Sequence, residues 1–138
     1  RAVEIQQEKG IDNALFIAAD ALDPPFRAEY FGQVAAINLL DNVPYPLTLL
    51  GQADALLRPG GNLLVSSPYE WRRDITPKEE WLEPEQVKGA LEGKQFSECR
   101  FSYRIESETD VGWTMRNHAR YYSHFISHVI KARKTLGD

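Results

Sequence analysis

The run Leu56-Leu57-Arg58-Pro59-Gly60-Gly61, followed at once by Asn62-Leu63-Leu64-Val65-Ser66-Ser67-Pro68-Tyr69, constrains the fold more than any other stretch of this sequence. Upstream, Pro46 suits the first turn of a helix, and Leu47, Leu50, Ala53 or Asp54, and Leu57 follow at helical spacing as one mostly apolar stripe. Proline cannot continue a helix and glycine tolerates the left-handed backbone that ends one, so the Pro-Gly-Gly turn is expected to stop it. Leu63 to Val65 then reads as a short buried strand, and Gln33-Val34-Ala35-Ala36-Ile37-Asn38 as another. Strand, helix, strand with short links is the order of a right-handed parallel crossover.

The flanks extend this α/β pattern. Ala2 to Lys9 has polar helical character and stops at Gly10, and Ala14-Leu15-Phe16-Ile17-Ala18-Ala19 suits a strand buried on both faces, capped by Asp20. Pro68 to Pro84 reads as a loop holding Trp71 and Trp81. Glu83-Pro84-Glu85 opens a helix to about Leu91, which Glu92-Gly93 ends. Cys99, Phe101, Tyr103 and Ile105 alternate with charged or polar neighbours through Glu106, which predicts a half-exposed antiparallel strand. Tyr121 to Arg133 is rich in β-branched and aromatic residues and is expected to pair with it.

A chain of 138 residues has room for one domain. Its net charge of -4 argues against a nucleic-acid partner, and Arg72-Arg73 and the cluster from Lys131 to Lys134 read as solvated faces. The single cysteine, Cys99, excludes an internal disulfide and a cysteine-based zinc site, which fits a reducing, cytoplasmic compartment. No apolar run approaches the ~20 residues of a membrane span. The chain opens at Arg1 without a signal-peptide pattern, and that start reads as a cut rather than a natural beginning.

Phe16-Ile17-Ala18-Ala19-Asp20-Ala21, then Phe31 to Leu40, then Leu57-Arg58-Pro59-Gly60-Gly61, resemble in order the third, fourth and fifth strands of a class I methyltransferase that uses S-adenosylmethionine. The two C-terminal strands resemble the antiparallel pair that closes such sheets. A narrower resemblance begins at Ser67. Pro68-Tyr69-Glu70-Trp71, Ile75 to Leu82 and Arg116 to Tyr121 are similar to the C-terminal mercaptohistidine methyltransferase domain of ovothiol-pathway enzymes. Gly112-Trp113 and the region from Tyr122 to His128 depart from that pattern. The resemblance implies an incomplete Rossmann-like sheet, residues 1–138 being the C-terminal part of one methyltransferase domain, and methyl transfer to a small molecule with an imidazole or amino-acid-like substrate.

In an open parallel sheet, ligands bind beyond the carboxyl ends of the strands. By the resemblance, Asp20 accepts from the adenine amino group, the Ala21 amide faces the ring, and Asn38 and Leu39 line the floor near the methyl donor. As a bare sequence, Asp20 equally suits a turn and Asn38 a strand-end cap. Tyr69, Trp71 and Trp81 are candidates for an aromatic wall over a ring-shaped or cationic substrate. Arg116 and His118 are candidates for holding a substrate carboxylate, with a surface ion pair as the plain alternative. The catalytic base is not identified. His118, His124 and His128 do not predict a metal site: on a strand, residues four apart lie roughly 13 Å apart, too far to share one ion.

The nine glycines include no cluster resembling the glycine-rich loop that follows the first strand of this superfamily. Its absence leaves an open apolar edge beside Val34, a template for pairing. The expectation is therefore a longer domain, or a second chain, including a swapped or homodimeric copy, that completes the cofactor site. A non-catalytic methyltransferase-like interaction subunit is the alternative reading.

Overall fold

The computed structural model describes residues 7–96, 98 and 100–136. Its elements are β1 (Phe31–Ile37), a 3-10 turn (Leu40–Asn42), α1 (Pro46–Leu56), β2 (Leu57–Ser67), a second 3-10 turn (Lys78–Glu80), α2 (Pro84–Leu91), β3 (Tyr103–His118) and β4 (Tyr121–Lys134). The strands form one sheet in the order β1-β2-β4-β3, with β1 and β2 parallel and the other pairs antiparallel. This is the expected α/β architecture, parallel strands closed by an antiparallel pair.

Helix α1 starts on Pro46 and buries Leu49, Leu50 and Ala53, which continue into Leu57 at the head of β2. The Pro-Gly-Gly turn does not itself end the helix. α1 ends at Leu56, and Leu57 is already extended and paired with Phe31, while Gln33 pairs with Asn62. The triplet is therefore a bulge inside β2, which throws out the extra residues between two bridges. Gly60 has φ +78°, and a Cβ on Gly61 would meet Leu57 Cδ1 at 2.7 Å and the Gly32 carbonyl at 2.9 Å. Glycine is required at both for these reasons.

Leu40, Leu50, Leu57, Leu63, Val87, Leu91 and Ile130 pack into the core between the sheet and the two helices. α2 opens as expected, with Gln86 Oε1 accepting from the Glu83 amide at 2.8 Å. At the base of the sheet Tyr103 Oη donates to Asp54 Oδ1 at 2.8 Å, and Lys134 Nζ donates to the carbonyls of Asp54 and Leu57 at 2.7 and 3.0 Å. That cation satisfies carbonyls at the C-terminal end of α1, where the helix dipole favours it. Burial, and then the Asp54 carboxylate, raise the Tyr103 phenol well above its ordinary value.

Two further expectations change, and a third lies largely outside the described residues. Residues 14–19 form no strand and are exposed, Leu15 at 85%. A strand needs a neighbouring strand to take its backbone hydrogen bonds, and the described sheet ends at β1, whose described partner is β2. The apolar run has no described strand to join. Second, β3 starts at Tyr103 and continues past Glu106 through a polar stretch to His118 because β4 pairs with it throughout. Third, the expected N-terminal helix falls largely on residues 1–6, outside the described residues, as does Cys99; Gln7 and Glu8 are helical. The β3–β4 hairpin outruns the sheet, since β2 pairs with β4 only from Asn62↔Arg133 to Ser67↔His128.

Candidate functional site at the strand ends

Asn38 follows the last residue of β1, and Tyr69 lies two residues beyond β2. Both have left-handed backbones, φ +50° and +55°. Asparagine tolerates this conformation, whereas for a bulky residue such as tyrosine it is a true outlier. Their partners explain how it is held. The Asn38 amide donates to Ser66 Oγ (3.0 Å), and Asn38 Oδ1 accepts from Ser66 Oγ (3.1 Å) and Ser127 Oγ (2.8 Å). Trp113 Nε1 donates to Ser127 Oγ at 2.8 Å, so the hairpin is tied to the end of β1 through one hydroxyl. The Tyr69 amide donates to Ser67 Oγ at 3.0 Å.

The side chain of Tyr69 reaches the other direction. Its Oη lies 2.7 Å from His128 Nδ1, and His128 Nε2 lies 2.9 Å from Glu108 Oε1. Glu108 Oε2 pairs with Lys88 Nζ of α2 at 2.9 Å. The hydrogen bonds from Lys88, then His128, hold the Glu108 carboxyl below its ordinary value, so it is ionised at neutral pH. Burial raises the Tyr69 phenol, and the charges of Glu108, Asp110, Glu83 and Asp41 add to this, so it stays protonated.

Asp41, 1% exposed, stands behind these groups in the 3-10 turn. Its Oδ2 accepts from the Glu70 amide at 2.8 Å and its Oδ1 from Asn42 Nδ2 at 3.1 Å. Burial raises its carboxyl above the usual range, against the lowering effect of hydrogen bonds from the Glu70 amide, its own amide and Ser67.

The three aromatics expected to form a wall do come together. The Tyr69 and Trp71 rings are 6.4 Å apart, and Trp71 and Trp81 stack at 6.2 Å with planes 13° apart. Trp81 Nε1 donates to the Thr76 carbonyl, and the buried Thr76 Oγ1 donates to the Val43 carbonyl at 2.7 Å. The loop after β2 is thereby pinned to the turn after β1. Tyr69 and Trp71 also pack against the core, so each aromatic has a structural as well as a surface role.

Asp20 is exposed and forms an Asx turn, Oδ1 accepting from the Leu22 amide at 2.9 Å. Beside it Ala21 lines a cavity of about 170 Å³ with Val34, Ala36, Leu39, Leu49 and Ala53, along β1 and α1. Arg116 and His118 do not join the cluster. They stand exposed at the hairpin tip, Arg116 5.9 Å from the Tyr122 ring centre and His118 beside Tyr121. Tyr122 is six residues along β4 from His128, roughly 20 Å. His124 Nδ1 contacts Thr114 Oγ1 at 2.8 Å, and among the described residues no group of three or more His, Cys, Asp or Glu side chains is arranged to hold a metal ion. Asp41, Glu108 and Ser127 belong to the site without having been singled out in the sequence. The signal for Asp41 was an acid inside the apolar run Leu39-Leu40-Asp41-Asn42-Val43; Glu108 and Ser127 gave none.

The sequence profile of a family described as "Methyltransferase domain" matches residues 1–65. A putative methyltransferase from Bacillus halodurans superimposes with a TM-score of 0.65 at 16% identity, covering 97% of this chain and 77% of that one. The fold is that of the methyltransferases. An S-adenosylmethionine-dependent methyltransferase from Aquifex aeolicus gives 0.62 at 15% identity over 97% of this chain and 62% of its own. A cyclase, SpnF, gives 0.63 at 18% identity, covering 99% of this chain and 62% of that one. The methyltransferase fold thus also appears in a protein described by other chemistry. No curated protein matches the chain. No described helix is long and apolar enough to cross a membrane.

Proposed function

We propose that this chain supplies the later part of an S-adenosylmethionine-dependent methyltransferase acting on a small molecule. The carrying observation is the convergence of Asn38 and Tyr69, both with left-handed backbones, at the carboxyl ends of two parallel strands beside the Trp71–Trp81 stack. The matched family profile and the fold support methyl transfer in general.

The residues present fit one end of the cofactor. Asp20 offers an exposed carboxylate acceptor for an exocyclic amine, and Ala21 and Leu39 line an apolar cavity suited to a purine face. When bound, S-adenosylmethionine supplies an electrophilic methyl group on a sulfonium. The protein's own task in such a displacement is to orient the acceptor, exclude water and receive its proton. Asn38 closes the floor, its Oδ1 engaged by two hydroxyls. Tyr69, Trp71 and Trp81 form the face on which a flat acceptor such as an imidazole stacks, with an amino-acid-like substrate as the working class. Arg116 and His118 stand too far along the hairpin to hold that substrate's carboxylate.

Among the described residues nothing provides the glycine-rich cradle for the ribose and methionine portions. In our reading a strand carrying it pairs along the free edge of β1, where Ile37 is 54% exposed, and comes from upstream sequence, of this chain or of a swapped copy, or from a different second chain. A cytoplasmic location accords with the lone cysteine. The test is calorimetry with S-adenosylmethionine on protein that includes the residues upstream of Arg1. Binding is expected there and not with residues 1–138 alone; no binding in either case overturns the proposal. The second reading, a non-catalytic partner subunit, is favoured by the same open edge and predicts a tight complex with an active methyltransferase.

A further inference from the structure

We propose that Tyr69, His128 and Glu108 form a proton relay that accepts the proton released by the methyl acceptor; this rests on the methyl-transfer reading above. Methylating a neutral X–H group would form an X–C bond as the donor's sulfonium S–C bond breaks with its electron pair going to sulfur, and the X–H bond must break with its electron pair left on X. The proton needs a destination. The Tyr69–His128–Glu108 chain offers one at the site itself.

Polarity follows from the charges. Lys88 keeps Glu108 ionised, and a carboxylate only accepts, so His128 Nε2 carries the hydrogen that bridges to it. In the neutral ring that fixes Nδ1 as the bare nitrogen, and Tyr69 Oη must be the donor across the 2.7 Å contact. The Tyr69 oxygen is then left with lone pairs to accept from X–H. As X–H gives its proton to Tyr69 Oη, the phenol's own proton passes to His128 Nδ1, and the imidazolium formed is met by Glu108. Tyrosinate never accumulates, which suits a phenol whose ionisation is opposed first by burial and then by Glu108 and Asp110 of β3, Glu83 before α2 and Asp41 of the 3-10 turn. His128 is 8% exposed, shielding its tautomer from solvent. The left-handed backbone of Tyr69, tied down through Ser67, is the kind of local strain that surrounding structure over-determines at working sites.

The arrangement is tested by ¹⁵N NMR of the His128 ring in the full chain at pH 7. The relay requires Nε2 protonated and Nδ1 bare, with Tyr69→Phe moving the Nδ1 resonance; an Nδ1-protonated ring donating to Tyr69 overturns it. The function is tested on protein carrying the upstream residues, offered imidazole, histidine and cysteine as acceptors. For an acceptor that is methylated, Tyr69→Phe and His128→Gln are each expected to lower kcat/KM by about 10²- to 10⁴-fold, chiefly through kcat. The Kd for S-adenosylmethionine stays unchanged in both. Variants retaining wild-type kcat and kcat/KM overturn the relay and leave methyl transfer standing. Methylation of none of the three overturns the small-molecule reading beneath it, whatever the tautomer.

Discussion

Ser127 donates a 2.8 Å hydrogen bond from Oγ to Asn38 Oδ1, joining positions 89 residues apart. Because Asn38 also accepts from Ser66 and has φ +50°, it carries two separable demands: an acceptor and a left-handed backbone. Asn38→Ala removes the first and strains the second, and is expected to cost about 2–4 kcal/mol. Asn38→Gly loses only the acceptor and should be less damaging by about 1 kcal/mol or more. Urea unfolding midpoints decide; equal losses would show that the backbone is not strained there.

The Trp71–Trp81 stack should be visible in near-ultraviolet circular dichroism. Trp71→Ala is expected to abolish that signal and cost about 2 kcal/mol, less than for a fully buried tryptophan because Trp71 is half-buried. Trp71→Phe should retain most of the stability.

Asp41 gives a pH signature of defined sign. Burial raises its folded carboxyl above the unfolded value of 3.8, so the folded state binds the proton more tightly. That contribution is present at low pH and is lost as pH rises from 3.8 through the folded value. Asp41→Asn keeps an oxygen for the Glu70 amide without the charge. Its stability relative to wild type should therefore improve between pH 3.5 and 7, followed by urea midpoints; a flat difference would argue against the burial effect.

Glu108 has the opposite sign. Its folded carboxyl is lowered, so its contribution is present above the unfolded value of 4.5 and fades as pH falls through the folded value. Glu108→Gln should be less stable than wild type at pH 7 and converge with it in acid. The effect is modest because the side chain is partly exposed.

Much of the fold was legible because local chemistry and tertiary structure agree. Pro46, the leucine spacing and the Glu83-Pro84 start all specify their own elements. Apolar content alone misled at Ala14 to Ala19, since a buried strand is defined by its neighbours as much as by its residues. The outer half of β3 was illegible for the converse reason: Ser107 to Asp110 have no strand pattern and are extended only because β4 lies alongside. At the site, the aromatics were readable because large rings in a proline-rich loop need a purpose. The polar pairings were not, because Ser127 meets Asn38, and Glu108 meets His128, through strand register that no local pattern encodes.

The hairpin's register has a consequence for assembly. β3 and β4 are neighbours in sequence and can pair by themselves, and β1-α1-β2 is a second local unit. Asn38 and Tyr69 belong to one unit, whereas Ser127 and His128 belong to the other. The candidate site is thus a seam, created only when the two halves dock. A substitution that loosens docking, even at Lys134 or Tyr103 at the opposite end of the sheet, should silence the site while leaving each half's secondary structure intact.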